Sequence, residues 1–382
     1  MKYKVISLLF LSYILLISIS FKAGVPEEFL KSLRAQYEKD PKEWPKPEVD
    51  SGIVWKELAA MTYPGNSGRD SSSIKKAQLG KLLFFDPRLS SSNQISCSSC
   101  HDPEMSWTDG RKLAIGHDHQ SGIRNTPSIQ NLAENRLFLW DGRRNTLSAQ
   151  AREAMANPVE MHVDLDQLPA KIRKIKGYKV YFEQAFGKGS KYGEEQILES
   201  IAAFVAGISS RPTRFDNFMK GRKRALSDQQ IWGLHLFRTK ARCINCHNGA
   251  MFNDGEFHNL GFSNYGKPNQ DLGLYNISGN PADIGKFKTP SLRDVMRTSP
   301  WFHDGRFNEM EALINMYTAG MPQPKPRVAQ IQDPNYPKSS PHLKKLDINL
   351  EERAAIISFL TAITTAPLEF KRPELPSNDL KQ

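Results

Sequence analysis

The chain has 382 residues, of which 39% are hydrophobic and 24% charged, which excludes a disordered or fibrous protein and leaves room for about two domains. Lys and Arg outnumber Asp and Glu 52 to 41, a formal net charge of +11. The basic residues are interspersed along the chain, so a nucleic-acid-binding tail and a nucleic-acid partner are excluded.

In chain order, Met1-Lys2-Tyr3-Lys4 leads into an almost wholly apolar run, Val5 to Phe21. A short positive lead and about 17 apolar residues fit a signal peptide over residues 1–24, with an uncleaved N-terminal anchor as the alternative. Both readings put the rest of the chain outside the cytoplasm, so a periplasmic location is expected. Removing residues 1–24 takes away three lysines and no acids, which leaves a mature charge of 11 − 3 = +8. Residues 25–71 are rich in Pro and charge and read as an N-terminal extension.

All four cysteines fall in two copies of one pattern, Cys97-Ser98-Ser99-Cys100-His101 and Cys243-Ile244-Asn245-Cys246-His247. C-x-x-C-H is the attachment pattern of a c-type haem. Two thiols a helical turn apart add across the vinyl groups of one porphyrin, and the adjacent His lies under the iron as proximal ligand. A zinc site would bring its CxxC pairs within about 15–20 residues of each other, whereas 142 residues lie between Cys100 and Cys243. A thioredoxin-like motif needs neither a second copy nor a following His. The cysteines therefore predict two covalently attached haem c groups.

Helical spacing recurs between and after the motifs. Glu194–Ser209 carries Ile197, Leu198, Ile201, Ala202 and Val205 on one face. Ser227–Phe237 opens on an N-cap Ser and carries Ile231, Leu234 and Phe237. Leu350–Thr361 repeats the pattern through Ala354, Ile357 and Leu360. Strand-like alternation is scarce, so the expected class is all-α with long loops.

A second internal landmark frames the two motifs. Thr126-Pro127-Ser128 precedes Asp141-Gly142-Arg143, and Thr289-Pro290-Ser291 precedes Asp304-Gly305-Arg306, with a spacing of 15 residues in both halves. The second half carries an insertion near 261–286, rich in Gly and Asn, which reads as a loop. The chain is thus expected to hold two cytochrome c-like haem domains arranged as an internal duplication. The N-terminal one spans residues 72–222 and the C-terminal one residues 223–366, with a polar, Pro-rich tail over residues 367–382.

The sixth ligands decide what such a protein does. A haem with two strong axial ligands passes electrons, whereas one with an open or displaceable position can bind peroxide; the candidate ligands are His, Met and Tyr. The run Leu79-Gly80-Lys81-Leu82-Leu83-Phe84-Phe85-Asp86-Pro87-Arg88-Leu89-Ser90 leads into the first haem motif. Ile115-Gly116-His117, Arg124-Asn125-Thr126-Pro127, Trp140-Asp141-Gly142-Arg143 and Phe302-His303-Asp304-Gly305 follow in order. Over roughly residues 72–365 the chain resembles the bacterial dihaem cytochrome c peroxidase/MauG family.

That resemblance implies a peroxidatic N-terminal haem and an electron-transfer C-terminal haem. His101 and His247 would be the proximal ligands, and His117 a displaceable distal ligand of the first iron. Glu160 matches the distal carboxylate that assists O–O cleavage, and Trp140 the tryptophan between the haems. Asn125, Thr298 and Pro300 match positions that supply oxygen ligands to an interdomain Ca²⁺. Read from the residues alone, the alternatives are a surface carboxylate for Glu160, core packing for Trp140 and an ordinary loop histidine for His117. His235, His258 and His342 read as structural or exposed.

At the second haem the peroxidases place a ligating methionine twelve residues after the glycine of the Phe302-His303-Asp304-Gly305 motif. Here that position is Tyr317, as in MauG-like proteins, with Met316 as the alternative. Neighbouring helical residues point about 100° apart, so only one of the two can face the iron. A phenolate favours ferric iron and a low potential, and a thioether the reverse. His117, by contrast, is a peroxidase-like feature. The resemblance therefore implies reduction of hydrogen peroxide with electrons from a small redox protein, a cytochrome c or cupredoxin. The alternative is a MauG-like oxidase that uses peroxide-derived high-valent iron to oxidise Tyr or Trp of a partner protein; a non-catalytic electron-transfer cytochrome is the third class. A homodimer is compatible with either enzyme.

Overall fold

The computed structural model describes residues 25–62, 70–367 and 369–378. The expected signal segment 1–24, the end of the extension at 63–69 and the last residues of the tail, 379–382, lie outside the described residues. Helices carry the architecture: α1 (Glu27–Tyr37), α2 (Ser71–Phe85), α3 (Cys97–Cys100), α4 (Leu147–Ala156), α5 (Leu168–Arg173), α6 (Tyr178–Phe186), α7 (Glu194–Val205), α8 (Arg214–Met219), α9 (Asp228–Arg238), α10 (Tyr275–Ser278), α11 (Met310–Thr318) and α12 (Leu350–Ala362). Among the described residues the sheet content is one antiparallel pair, β1 (Phe257–Asn259) and β2 (Lys286–Lys288), with Phe257 opposite Lys288. The fold is therefore mostly α, as the spacing predicts.

Two hydrophobic cores form, one around each haem motif. In the first, α2 packs on α7 and buries Leu79, Leu83, Phe84, Ile197 and Ile201. In the second, α9 packs on α12 and buries Ile231, Leu234, Phe237, Ile356 and Phe359. Each crossing depends on one glycine. A Cβ at Gly80 would sit 1.8 Å from the carbonyl oxygen of Ser200, and one at Gly233 would sit 1.9 Å from that of Ala355. Only a residue without a side chain admits so close an approach of two backbones. Helices α9 and α12 start on reciprocal caps, Ser227 with Gln230 and Asn349 with Glu352, which satisfy amide donors the first turn cannot pair internally.

The two landmark segments adopt one backbone course. Asn131 and Asp294 have φ values of 60° and 59°, Leu139 and Phe302 of 70° and 76°, and Gly142 and Gly305 of 70° and 59°. Phe138 bridges Arg144, and Trp301 bridges Phe307, at matching positions.

The residues expected as an N-terminal extension are built into the second core. Helix α1 packs on α9, and Leu33, Tyr37, Trp44 and Leu58 are buried there. The Arg238 guanidinium pairs with Glu57 and donates to Tyr37 Oη at 2.9 Å. Phe215 and Phe218 also join this core, so it reaches back before residue 223. The insertion near 261–286 is mostly irregular but carries α10 and ends on β2.

Candidate functional site

Helix α3 holds the first motif, capped reciprocally by Ser96 and Ser99. The second lies on a tight turn, Cys243–Asn245, entered through Arg242 at a φ of 58°. In both, the histidine amide closes back on the first cysteine, His101 N to Cys97 O at 2.9 Å and His247 N to Cys243 O at 2.8 Å.

The imidazoles are oriented alike. His101 Nδ1 lies 3.0 Å from the Trp107 carbonyl oxygen, and His247 Nδ1 lies 2.9 Å from that of Phe252. A carbonyl only accepts, so each Nδ1 carries the proton and donates, which leaves the Nε2 lone pair free for a metal. Burial lowers the pKa of both rings and keeps them neutral.

One cavity of about 840 Å³ is bordered by both motifs, including Cys97, Cys100, His101, Cys243, Cys246 and His247. Burial pushes the Cys97, Cys100 and Cys243 thiols up to about 12, so they are protonated. Cys246 also lies within 4.8 Å of ligand atoms on Asp254 and His258, but His258 is already paired with Asp254 at 2.7 Å. A large cavity, two pairs of thiols and one correctly presented imidazole beside each pair fit two covalently attached haems.

Glu160 stands on the wall of this cavity. Its Oε1 accepts a 2.8 Å hydrogen bond from Asn157 Nδ2, and Glu160 N donates to Asn157 O at 3.0 Å. Burial raises its pKa above the usual carboxylate range, against the opposing pull of that hydrogen bond and of Arg143. Trp140 is also on the wall; its Nε1 donates to Asn125 O at 2.9 Å and its carbonyl accepts from Lys288 N at 2.8 Å. It is thereby tied to both halves of the chain. Asn125, Thr298 and Pro300 border the same cavity. The Asn125 side-chain nitrogen is committed to the Arg111 carbonyl at 2.8 Å.

His117 is placed differently from the expectation. Gly116 borders the cavity but the His117 side chain does not. Its ring packs edge-on against His162 with centroids 4.7 Å apart, and its Nδ1 is buried without a partner. The reason is local: His117 N donates to Glu160 O at 2.8 Å, and a Cβ at Gly116 would lie 2.1 Å from Val159 O. The loop is pressed onto the Glu160 segment, and the imidazole lies against His162 rather than on the cavity wall. His162 and Asn157 escape sequence reasoning, although Asn157 is only three residues from Glu160.

Helix α11 presents Met310, Leu313, Ile314 and Tyr317 to the cavity, whereas Met316 is not on its wall. Burial raises the Tyr317 phenol above its usual pKa. His303, of the second landmark, stacks on Phe287 with centroids 3.6 Å apart.

Residues 74–224 match the family described as Di-haem cytochrome c peroxidase. The chain is 33% identical over 304 residues to Methylamine utilization protein MauG of Methylorubrum extorquens, covering 79% of this chain and 82% of that one. It is equally, 33%, identical over 304 residues to the Cytochrome c551 peroxidase of Nitrosomonas europaea, covering 79% and 84%. Among solved structures it is similar to a MauG-like protein associated with microbial copper homeostasis, at 28% identity and a TM-score of 0.68 over 85% of this chain and 94% of that chain. No helix among the described residues is long and apolar enough to cross a membrane. The chain belongs to the di-haem cytochrome c peroxidase and MauG family of haem oxidoreductases.

Proposed function

We propose that the chain reduces hydrogen peroxide to water at a haem held by Cys97, Cys100 and His101. Cys243, Cys246 and His247 would hold a second haem, whose chemistry would be to relay electrons from a small redox protein. Bound haem supplies the site for peroxide and the electron-transfer chemistry. Glu160 does the proton work: its carboxylate would take a proton from one peroxide oxygen and return it to the departing one. Two electrons and two further protons balance the formation of two waters. Trp140 lies on the shared wall and offers a π-bridge between the two sites. His117 would act as a displaceable ligand of the first haem if its loop brought the imidazole to the cavity. The observation that carries this reading is the half-buried Glu160 on one cavity wall with His101. Steady-state consumption of H₂O₂ with reduced cytochrome c or a reduced cupredoxin tests it, and the absence of donor-dependent turnover overturns it.

A second reading is favoured by Tyr317 on the cavity wall. Phenolate ligation would keep the second haem from accepting electrons readily and suit oxidation of Tyr or Trp on a partner protein. Peroxide-dependent modification of a partner's aromatic side chains, without turnover of reduced cytochrome c, would select it.

Three further assignments accompany both readings. The parallel backbone courses and paired glycine crossings support a duplicated haem unit. Asn125 Oδ1 and the carbonyl oxygens of Thr298 and Pro300 are oxygen-only donors, the kind Ca²⁺ selects. Haem c attachment and the apolar N-terminal run support export to the periplasm.

A further inference from the structure

The residues after α12 leave the second core and strap across the first. Arg88 Nη2 donates to Pro376 O at 2.9 Å, and Gly177 N donates to Ser377 O at 3.1 Å. Nearer the start of the strap, the Phe370 ring stacks on Phe85, with centroids 5.5 Å apart and planes 17° apart. Its edge contact with Trp107 is closer still, at 5.3 Å and 79°. Arg372 pairs with Asp102 at 2.9 Å.

Trp107 and Asp102 are the two residues that shape the turn under His101. Trp107 O accepts the His101 Nδ1 proton, and Trp107 N donates to Asp102 O at 2.7 Å. Trp107 holds a φ of 62°, a backbone state that a bulky residue keeps only when its surroundings impose it. The strap touches both residues from outside.

The second half shows what the strap replaces. There the acceptor Phe252, also at positive φ (53°), is enclosed by Phe215, Phe237 and Phe359, all from its own core. Trp107 has Phe84 and Phe204 from its own core, and Phe370 arrives as the third ring from the far end of the chain. The first haem's proximal support is thus completed by the C-terminal tail, and the second haem's is not.

We infer that Phe370 is a positioning residue for the first haem: it fixes Trp107, and through the Trp107 carbonyl it sets the orientation and basicity of His101. A proximal imidazole that donates a firm Nδ1 hydrogen bond is a stronger ligand and favours ferric iron. Removing the Phe370 ring opens a void beside Trp107 and loosens that bond. The inference rests on His101 being the proximal ligand.

The test uses the full chain with both haems attached. Spectroelectrochemical titration of Phe370→Ala should show the first haem easier to reduce, its one-electron equilibrium shifted by about three- to tenfold, below the 10–100-fold typical of direct partners of a ligand. The second haem should not move. The iron–histidine stretch of the reduced first haem should fall in frequency by resonance Raman, and Phe370→Tyr should restore both readouts. Phe370→Leu gives a smaller shift in the same direction and serves if the alanine variant loses haem during folding. An unchanged first-haem potential and stretch in a folded variant overturns the inference, as does an equal shift of both haems. A first-haem spectrum that His101→Gly leaves unchanged in the haem-loaded protein would instead reject the ligand assignment of His101.

Discussion

The amide nitrogen of Asn125 donates to the carbonyl oxygen of His303 across 2.7 Å, joining the landmark segment of the first half to that of the second. The neighbouring side chains extend the joint. Arg124 donates to both carboxylate oxygens of Asp271, at 2.7 and 2.8 Å, and to Asp141 at 2.6 Å. Trp140 is tied to this joint, because its indole Nε1 donates to the Asn125 carbonyl oxygen. His303 stays neutral here, because burial pushes its pKa down to about 4.

Arg124→Ala should therefore loosen the joint. It leaves the Asp271 carboxylate without its cation, while Asp141 keeps Arg143 at 2.7 Å; a buried pair that loses one partner costs about 3–5 kcal/mol. Thermal unfolding of the haem-loaded protein near neutral pH measures this. Burial alone would raise the pKa of Asp271, but Arg124 holds it below the usual carboxylate value. A depressed carboxylate contributes stability above its unfolded pKa and loses it as pH falls through the folded one. Without Arg124 burial raises the Asp271 pKa, so the gap between the parent and the variant should begin to narrow above the free-carboxylate value of about 4 and go on narrowing as pH falls. A gap that stays constant into acid would show that the pairing is not what Arg124 contributes.

Gly80→Ala and Gly233→Ala should each destabilise one core. The new methyl meets a backbone carbonyl oxygen, which cannot rotate away as a flexible side chain would, so the helices must separate. Overpacking of this kind costs about 1–3 kcal/mol, sometimes more. Circular dichroism melts of the two variants should both fall below the parent, and an unchanged melt for either would place the helix crossing elsewhere.

The motifs were legible in the sequence because their chemistry is local. Two cysteines and a histidine within five residues define a haem site without knowledge of the fold, and the core helices followed from apolar spacing. What stayed hidden is long-range. Helix α1 looked like part of a charged extension because Tyr37 and Leu33 are buried by α9, some 200 residues later in the chain. Phe370 looked like part of a polar tail for the same reason. The placement of His117 against His162 goes with its backbone bonding to the Glu160 segment, and no periodicity encodes that. Met316 and Tyr317, adjacent in the chain, were separated by the rotational phase of α11 against the cavity.

That phase makes a direct test of the second haem's ligand. Tyr317→Met should change the visible spectrum of the second haem and raise its potential, because a thioether favours ferrous iron. Met316→Leu should change neither, since Met316 is off the cavity wall. If Met316→Leu alters the second-haem spectrum and Tyr317→Met does not, the helix presents the opposite residue to the iron.

Glu160→Gln should separate proton transfer from haem binding. Gln keeps the size of the side chain and its hydrogen bond to Asn157, so the resting spectra of both haems should stay as they are. The rate of peroxide cleavage, followed by stopped-flow absorbance, should fall about 10²–10⁴-fold, the range for loss of a positioned acid–base group. The pH profile sharpens the test. Burial raises the Glu160 pKa, so the carboxylate that accepts the first proton is depleted as pH falls through a value above the usual carboxylate range. The parent should lose rate on that acid limb and the glutamine variant should not show it. A variant that cleaves peroxide at the parental rate, with the acid limb intact, would move the proton work to another group on the cavity wall.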